Sequence, residues 1–225
     1  MSLTDLRETQ TKGRKAGRMN AGERDALDRL LPIIGLSPEC VLDRKKVFGR
    51  EAPLFLEIGF GRGTFLLEKA SLSPEKDFVG IEIYKPGIAK LLKGLAGMDD
   101  PEGLSINNLR VYNHNAANVL MDCIPENSLD GLYILFPDPW PKTRHHKRRL
   151  INPEFCCLLL SRLRHGKSAV VATDHMEYAV EIERAFDTAG FTLESKNMSD
   201  IWTTAYALKA SEMNCDLRTF RFVRL

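Results

Sequence analysis

Five short apolar runs, each followed by a stretch with helical punctuation, constrain this chain more than any other feature. Residues 54–58, 78–83, 109–112, 129–136 and 168–173 read as strands. Between and after them, 64–70, 86–95, 116–123, 152–163 and 175–189 read as helices. Pro86 stands in a first turn, where proline is tolerated. Asn152 is a natural cap ahead of Pro153, and Gly190 ends the last helix. Strand and helix alternate, and the strands are short and apolar, which points to a doubly wound α/β sheet of mostly parallel strands. Two late segments, 191–196 and 217–223, are expected as further strands joined by a polar loop, bringing the sheet to seven. A helix over 20–31 precedes the first strand. The expected organisation is a basic N-terminal extension over 1–50 and one α/β domain over 51–225.

A chain of 225 residues can bury roughly 70% of its surface. No run approaches the ~20 apolar residues of a membrane span, and the charged N-terminus lacks an apolar signal core, so a cytoplasmic location is expected. The net charge of +2 says less than its distribution. Arg7, Lys12, Arg14, Lys15 and Arg18 crowd the start, Arg44-Lys45-Lys46 follow, and Lys142 to Arg149 is the densest block. A polyanionic partner follows, nucleic acid ahead of an anionic membrane, because no amphipathic apolar face accompanies the basic residues. The cysteines at 40, 123, 156, 157 and 215 form no CxxC pair. No His/Cys spacing suits zinc, and no metal is expected. Monomer and homodimer both stay open.

In a doubly wound sheet, ligands bind outside the carboxyl ends of the strands, and the sequence marks those ends. The first is followed by Gly59-Phe60-Gly61-Arg62-Gly63-Thr64. The glycines permit a tight turn and close approach of a ligand. A dinucleotide fingerprint would have glycine at Thr64, so the turn fits a nucleoside without phosphates. Glu57 lies inside the first strand, and Glu82 ends the second, where a carboxylate grips a ribose diol. The third runs into Asn113-His114-Asn115, which fits either an adenine-reading amide or a helix cap. The fourth runs into Phe136-Pro137-Asp138-Pro139-Trp140-Pro141-Lys142. Its prolines fix φ and remove donors, leaving one carboxylate and one indole on a stiff loop. Arg144, Lys147, Arg148 and Arg149 follow, expected within reach of phosphates.

These residues resemble class I S-adenosylmethionine-dependent methyltransferases, and more narrowly the bacterial tRNA (guanine-N7)-methyltransferase family. The resemblance covers nearly the whole chain. Gly17-Arg18, Ala26-Leu27 and Pro32 are similar to the family's N-terminal segment. Residues 56–61 and 80–82 are similar to its cofactor motifs, and 136–149 matches its signature almost residue for residue. The resemblance implies S-adenosylmethionine as cofactor and tRNA as substrate, with methyl transfer to N7 of the variable-loop guanosine (position 46). It further implies that Glu57, Gly59, Gly61, Glu82, Asn115 and Asp138 line the cofactor pocket. Asp138 would be the catalytic-site acid, while Lys142, Asp174, Thr204, Tyr206, Arg144 and Arg148 would hold the RNA.

Two positions depart from the family pattern. Asn115 stands where the family usually has Asp; either offers an oxygen to an adenine amino group. The segment Thr204-Ala205-Tyr206-Ala207 lacks the family's Glu at 207, which puts substrate affinity or choice in question. N7 of guanine carries a lone pair and no proton, so displacement needs no strong base, and orientation carries the catalysis. Trp140 either stacks on the base or packs under the loop. The rival readings are a methyltransferase of another RNA base or an exocyclic amine, an NAD-dependent oxidoreductase, and a non-catalytic RNA-binding relative.

Overall fold

The computed structural model describes residues 17–97, 106–196 and 217–225. The described residues divide into two compact units, one within 17–123 and one within 124–225.

In the first unit, α1 (Ala21–Ile34) opens on Asn20, whose side chain accepts from the Glu23 amide while the Glu23 carboxylate accepts from the Asn20 amide. That reciprocal pair satisfies two donors the helix would otherwise strand. A short helix not foreseen, α2 (Arg44–Phe48), is capped by Asp43 and ended by Gly49 at φ 73°. None of its residues is buried, so no apolar period announced it. β1 (Leu54–Ile58), α3 (Thr64–Leu72), β2 (Asp77–Ile81), α4 (Lys85–Ala96), β3 (Leu109–Tyr112) and α5 (Ala116–Asp122) follow. β2 pairs in parallel with β1 on one side and β3 on the other, with Ile58 opposite Ile81 and Ile81 opposite Tyr112. Ala26, Leu30 and Ile34 of α1 share a core cluster with Ile88, Leu91 and Leu92 of α4 and Val111 of β3. Asp77, fully buried at the start of β2, pairs with Arg50 at 2.8 Å, as a buried carboxylate requires.

The second unit holds β4 (Leu129–Leu135), a 3₁₀ helix (Thr143–Arg148), α6 (Pro153–Arg162), β5 (Leu163–Thr173), α7 (Met176–Thr188), β6 (Thr192–Lys196) and β7 (Arg218–Val223). β4 and β5 are parallel, and β7 runs antiparallel to both β5 and β6. β5 begins at Leu163 rather than 168. Its register against β4 jumps from Leu129–Leu163 to Gly131–Ser168, and Gly166 sits at φ 71° between them. This bulge absorbs the polar residues that hid the strand's start. Phe186 stacks on Phe222 at 4.1 Å, and the buried Tyr178 accepts at its hydroxyl from the Ile151 amide.

Among the described residues there are seven strands, and only β7 runs against its neighbours; the expected α/β class with mostly parallel strands stands. The expected polar loop between the last two strands lies outside the described residues. Among the described residues no helix is long and apolar enough to cross a membrane.

Candidate active site

The expected cofactor residues other than Asp138 fall in the first unit. After β1 the chain turns through Gly59, Gly61 and Gly63, at φ 72°, 56° and 71°, a region glycine enters without steric cost. The three glycines do different work. A Cβ on Gly63 would collide with the Leu91 side chain, whereas one on Gly59 or Gly61 would meet nothing within 4 Å among the described residues. Gly63 therefore lets α3 and α4 approach, while Gly59 and Gly61 border open space.

Glu82 follows β2 and holds this turn. Its Oε2 accepts from the Gly61 amide at 2.8 Å, and Oε1 accepts from the amides of Ile83 and Tyr84 at 2.8 and 2.9 Å. Glu57 is 3% exposed, and its Oε2 has no hydrogen-bond partner among the described residues. Burial first, and the charge of Glu82 second, push the Glu57 carboxyl up to about 8. At neutral pH it holds a proton.

Asn115 follows β3. Its Oδ1 accepts from the amides of Ala117 and Asn118 at 2.9 and 3.3 Å and so caps α5. Two donors occupy the two lone pairs of that oxygen, so in this geometry the amide oxygen serves the helix. Asn113 carries a contact that the sequence did not single out. Its Nδ2 donates to the Glu82 carbonyl at 2.9 Å, tying the exit of β3 to that of β2. The amide of Gly17 donates to the Tyr84 hydroxyl at 3.1 Å, which holds Gly17 beside the same exit.

The expected catalytic and RNA-binding residues that the structure describes fall in the second unit. Phe136 and Trp140 have φ of 56° and 45°. Bulky residues pay roughly 1–2 kcal/mol each for a left-handed backbone, so both ends of the Pro137-Asp138-Pro139 segment are strained. The Phe136 amide donates to the Ala172 carbonyl at 2.8 Å, and Arg149 Nε donates to the Pro139 carbonyl at 2.8 Å. Trp140 is bracketed by the Arg148 guanidinium, 5.1 Å over its ring, and by His145 edge-on at 5.8 Å. Asp138 is exposed at the tip of the turn, as are Lys142 and Arg144 beyond it and Asp174 just after β5. Partial burial, then Arg148, Arg144 and Lys142, hold the His145 pKa below its ordinary value. Thr204 and Tyr206 lie outside the described residues.

One expectation is corrected. Arg149 was grouped with the phosphate-facing cations, but its side chain is 3% exposed and paired with Glu177 and Glu181 of α7. Those two carboxylates and His146 bring potential ligand atoms within 4.8 Å of one another. The Arg149 guanidinium already supplies the positive charge between them.

A family model described as a putative methyltransferase matches residues 51–211. The chain is 47% identical over 172 residues to the tRNA (guanine-N(7)-)-methyltransferase of Pseudomonas savastanoi pv. phaseolicola, covering 75% of this chain and 68% of that one. To the enzyme of that name from Paraburkholderia xenovorans it is 45% identical over 188 residues, covering 83% and 68%. Among solved structures, the 16S rRNA methyltransferase KamB is similar with a TM-score of 0.61 at 16% identity, covering 82% of this chain and 95% of that one. The 16S rRNA (adenine(1408)-N(1))-methyltransferase of Catenulisporales acidiphilia, solved with its cosubstrate SAM, is similar with a TM-score of 0.58 at 12% identity, covering 84% and 92%. These likenesses place the chain in the methyltransferase fold.

Two outcomes follow from the geometry of the glycine turn and Glu57. Gly63→Ala should cost about 2–5 kcal/mol in urea denaturation, the sum of left-handed strain and overpacking against Leu91. Gly59→Ala and Gly61→Ala should cost only the strain, about 1–2 kcal/mol, and instead weaken binding of S-adenosylmethionine in calorimetry.

Glu57 has a folded pKa raised above its unfolded value of 4.5, so the folded state holds the extra proton. Its contribution is fully present below pH 4.5, falls as pH rises, and is lost above about 8. The slope between is on the order of 1 kcal/mol per pH unit. Denaturation of Glu57→Gln at pH 5, 6.5 and 8 should lack that slope relative to the parent.

Proposed function

We propose that this chain, which belongs to the tRNA (guanine-N(7)-)-methyltransferase family, transfers the methyl group of S-adenosylmethionine to N7 of the variable-loop guanosine of tRNA. The observation that carries this reading is the 41–47% identity to curated enzymes of that name over most of the chain. Residues 1–50 serve as its basic extension and 51–225 as its catalytic domain, acting in the cytoplasm as a monomer or homodimer.

The residues present fit the cofactor. Among the described residues, open space borders Gly59 and Gly61, a buried Glu57 oxygen has no partner, and the Glu82 carboxylate stands beside them. S-adenosylmethionine brings an ammonium and a sulfonium cation, a ribose diol and an adenine, and it supplies the electrophilic methyl group. Glu82 would take a ribose hydroxyl at Oε2, the oxygen that accepts from the Gly61 amide, while keeping the glycine turn in place. Glu57, protonated beforehand, would meet the cofactor's positive charge. Asn115 would border the adenine while capping α5.

The chemistry asks little proton movement of the chain. N7 presents its own lone pair, so the work is alignment. Asp138 stands exposed on a turn that three prolines stiffen, suited to accepting hydrogen bonds from the base or the cofactor and so fixing their orientation. Lys142, Arg144, Arg148 and Asp174, with Thr204 and Tyr206, would hold the RNA. Phosphate contacts by the exposed cations would offset the few kcal/mol needed to free a stacked base.

The test is incubation with labelled S-adenosylmethionine and unmodified tRNA transcript, followed by borohydride-aniline cleavage. Strand scission at the variable-loop guanosine is the expected result. Label at another nucleotide would mean a different target, and tRNA binding with no transfer would mean a non-catalytic relative. In the same assay Asp138→Ala should slow single-turnover transfer on the order of 100-fold, the cost of losing alignment. Its affinity for S-adenosylmethionine, measured by calorimetry, should fall much less. Near-parental turnover would remove Asp138 from the reaction.

A further inference from the structure

The turn that carries Asp138 is strained at both ends, so something outside it must hold it. Proline has no N–H, and Pro139 can be gripped only through its carbonyl. That carbonyl accepts from Arg149 Nε at 2.8 Å. The rest of the guanidinium points into α7: Nη1 lies 2.5 Å from Glu181 Oε2 and Nη2 3.5 Å from Glu177 Oε1. Its plane also lies 4.9 Å from the centre of the Tyr178 ring, and the Tyr178 hydroxyl is itself fixed by the Ile151 amide. A guanidinium stays charged when buried, and two carboxylates offset the cost of burying it. Every side of Arg149 is thus committed to protein.

We propose that Arg149 is a positioning residue of the methyl-transfer reaction, clamping the Pro139 carbonyl to α7 so that Asp138 keeps its place, and that it is not a phosphate contact. The inference rests on the methyl-transfer reading above. It separates Arg149 from its neighbours: Arg144 and Lys147 are exposed, and Arg148 covers Trp140. Geometry rather than charge is the requirement. A guanidinium fork serves a carbonyl and two carboxylates at once, which the point charge of a lysine ammonium cannot do.

The test uses Arg149→Lys, Arg149→Met and Glu177→Gln in the full chain, with folding checked by circular dichroism. Single-turnover transfer should fall on the order of 10- to 100-fold in both Arg149 variants, with cofactor affinity less affected and the salt slope of tRNA binding unchanged. Acrylamide quenching of Trp140, read in a Trp202→Phe background, should rise as the turn relaxes. Glu177→Gln should move rate and quenching the same way by less, and it carries the test together with Arg149→Lys if Arg149→Met does not fold. A salt slope lower by about 0.7–0.9, with rate and quenching kept, would make Arg149 a phosphate contact and overturn the proposal. Rescue of the parental rate by Arg149→Lys would also overturn it, since charge alone would then suffice. If the parent transfers no methyl to tRNA, the reading of function fails. Quenching then decides the clamp by itself: unchanged Trp140 quenching in both Arg149 variants refutes it.

Discussion

What the first unit can offer a ligand depends on one carboxylate that accepts three backbone N–H groups. The turn after β1 is rich in glycine, and glycine is the residue with most freedom to lose on ordering. Left alone it would be a loose loop. The parallel register sets Ile58 opposite Ile81, so the chain leaves both strands side by side and the Glu82 carboxylate meets the amides of Gly61, Ile83 and Tyr84. Hydrogen bonds to a charged acceptor are worth roughly 1.5–3 kcal/mol each, enough to turn mobile backbone into a fixed cradle. The same carboxylate makes ionisation of Glu57 harder. One side chain therefore sets the shape of the candidate cofactor site and adds to the shift that burial of Glu57 begins.

Much of this was legible in the sequence because strands buried on both faces read as unbroken apolar runs. The bounds of β1 and β3 match the expected 54–58 and 109–112. The glycine turn and Glu82 were legible because a strand end followed by glycines, or by an acid, has few structural uses. β5 was less so: its first residues are polar and pass through a bulge, so no period marks them. Asn115 left two readings open. The structure shows its oxygen in the helix cap, a role that depends on where α5 begins and not on residue type alone. A carboxylate at this position would cap the helix and keep a second oxygen; an amide has only one. The departure from the family's Asp is therefore larger in three dimensions than in the alignment of letters.

The segment from Lys142 to Arg149 shows most plainly what a charge run conceals. As a sequence it is one feature, a dense block of cations after a stiff turn. In the fold it divides into three tasks. Lys142, Arg144 and Lys147 face solvent and keep their charge available to a polyanion. Arg148 lies half-buried over Trp140, where a cation over an indole contributes about 0.5–1 kcal/mol, and so helps settle an aromatic residue at positive φ. Arg149 is buried against Glu177 and Glu181 and reaches back to the Pro139 carbonyl. The division follows from chain geometry. A 3₁₀ helix repeats every three residues, so neighbouring cations leave it in different directions, one into the unit, one onto the turn and the rest to solvent. Net charge counts these residues alike, while Arg149, buried and paired, cannot release counterions on meeting RNA.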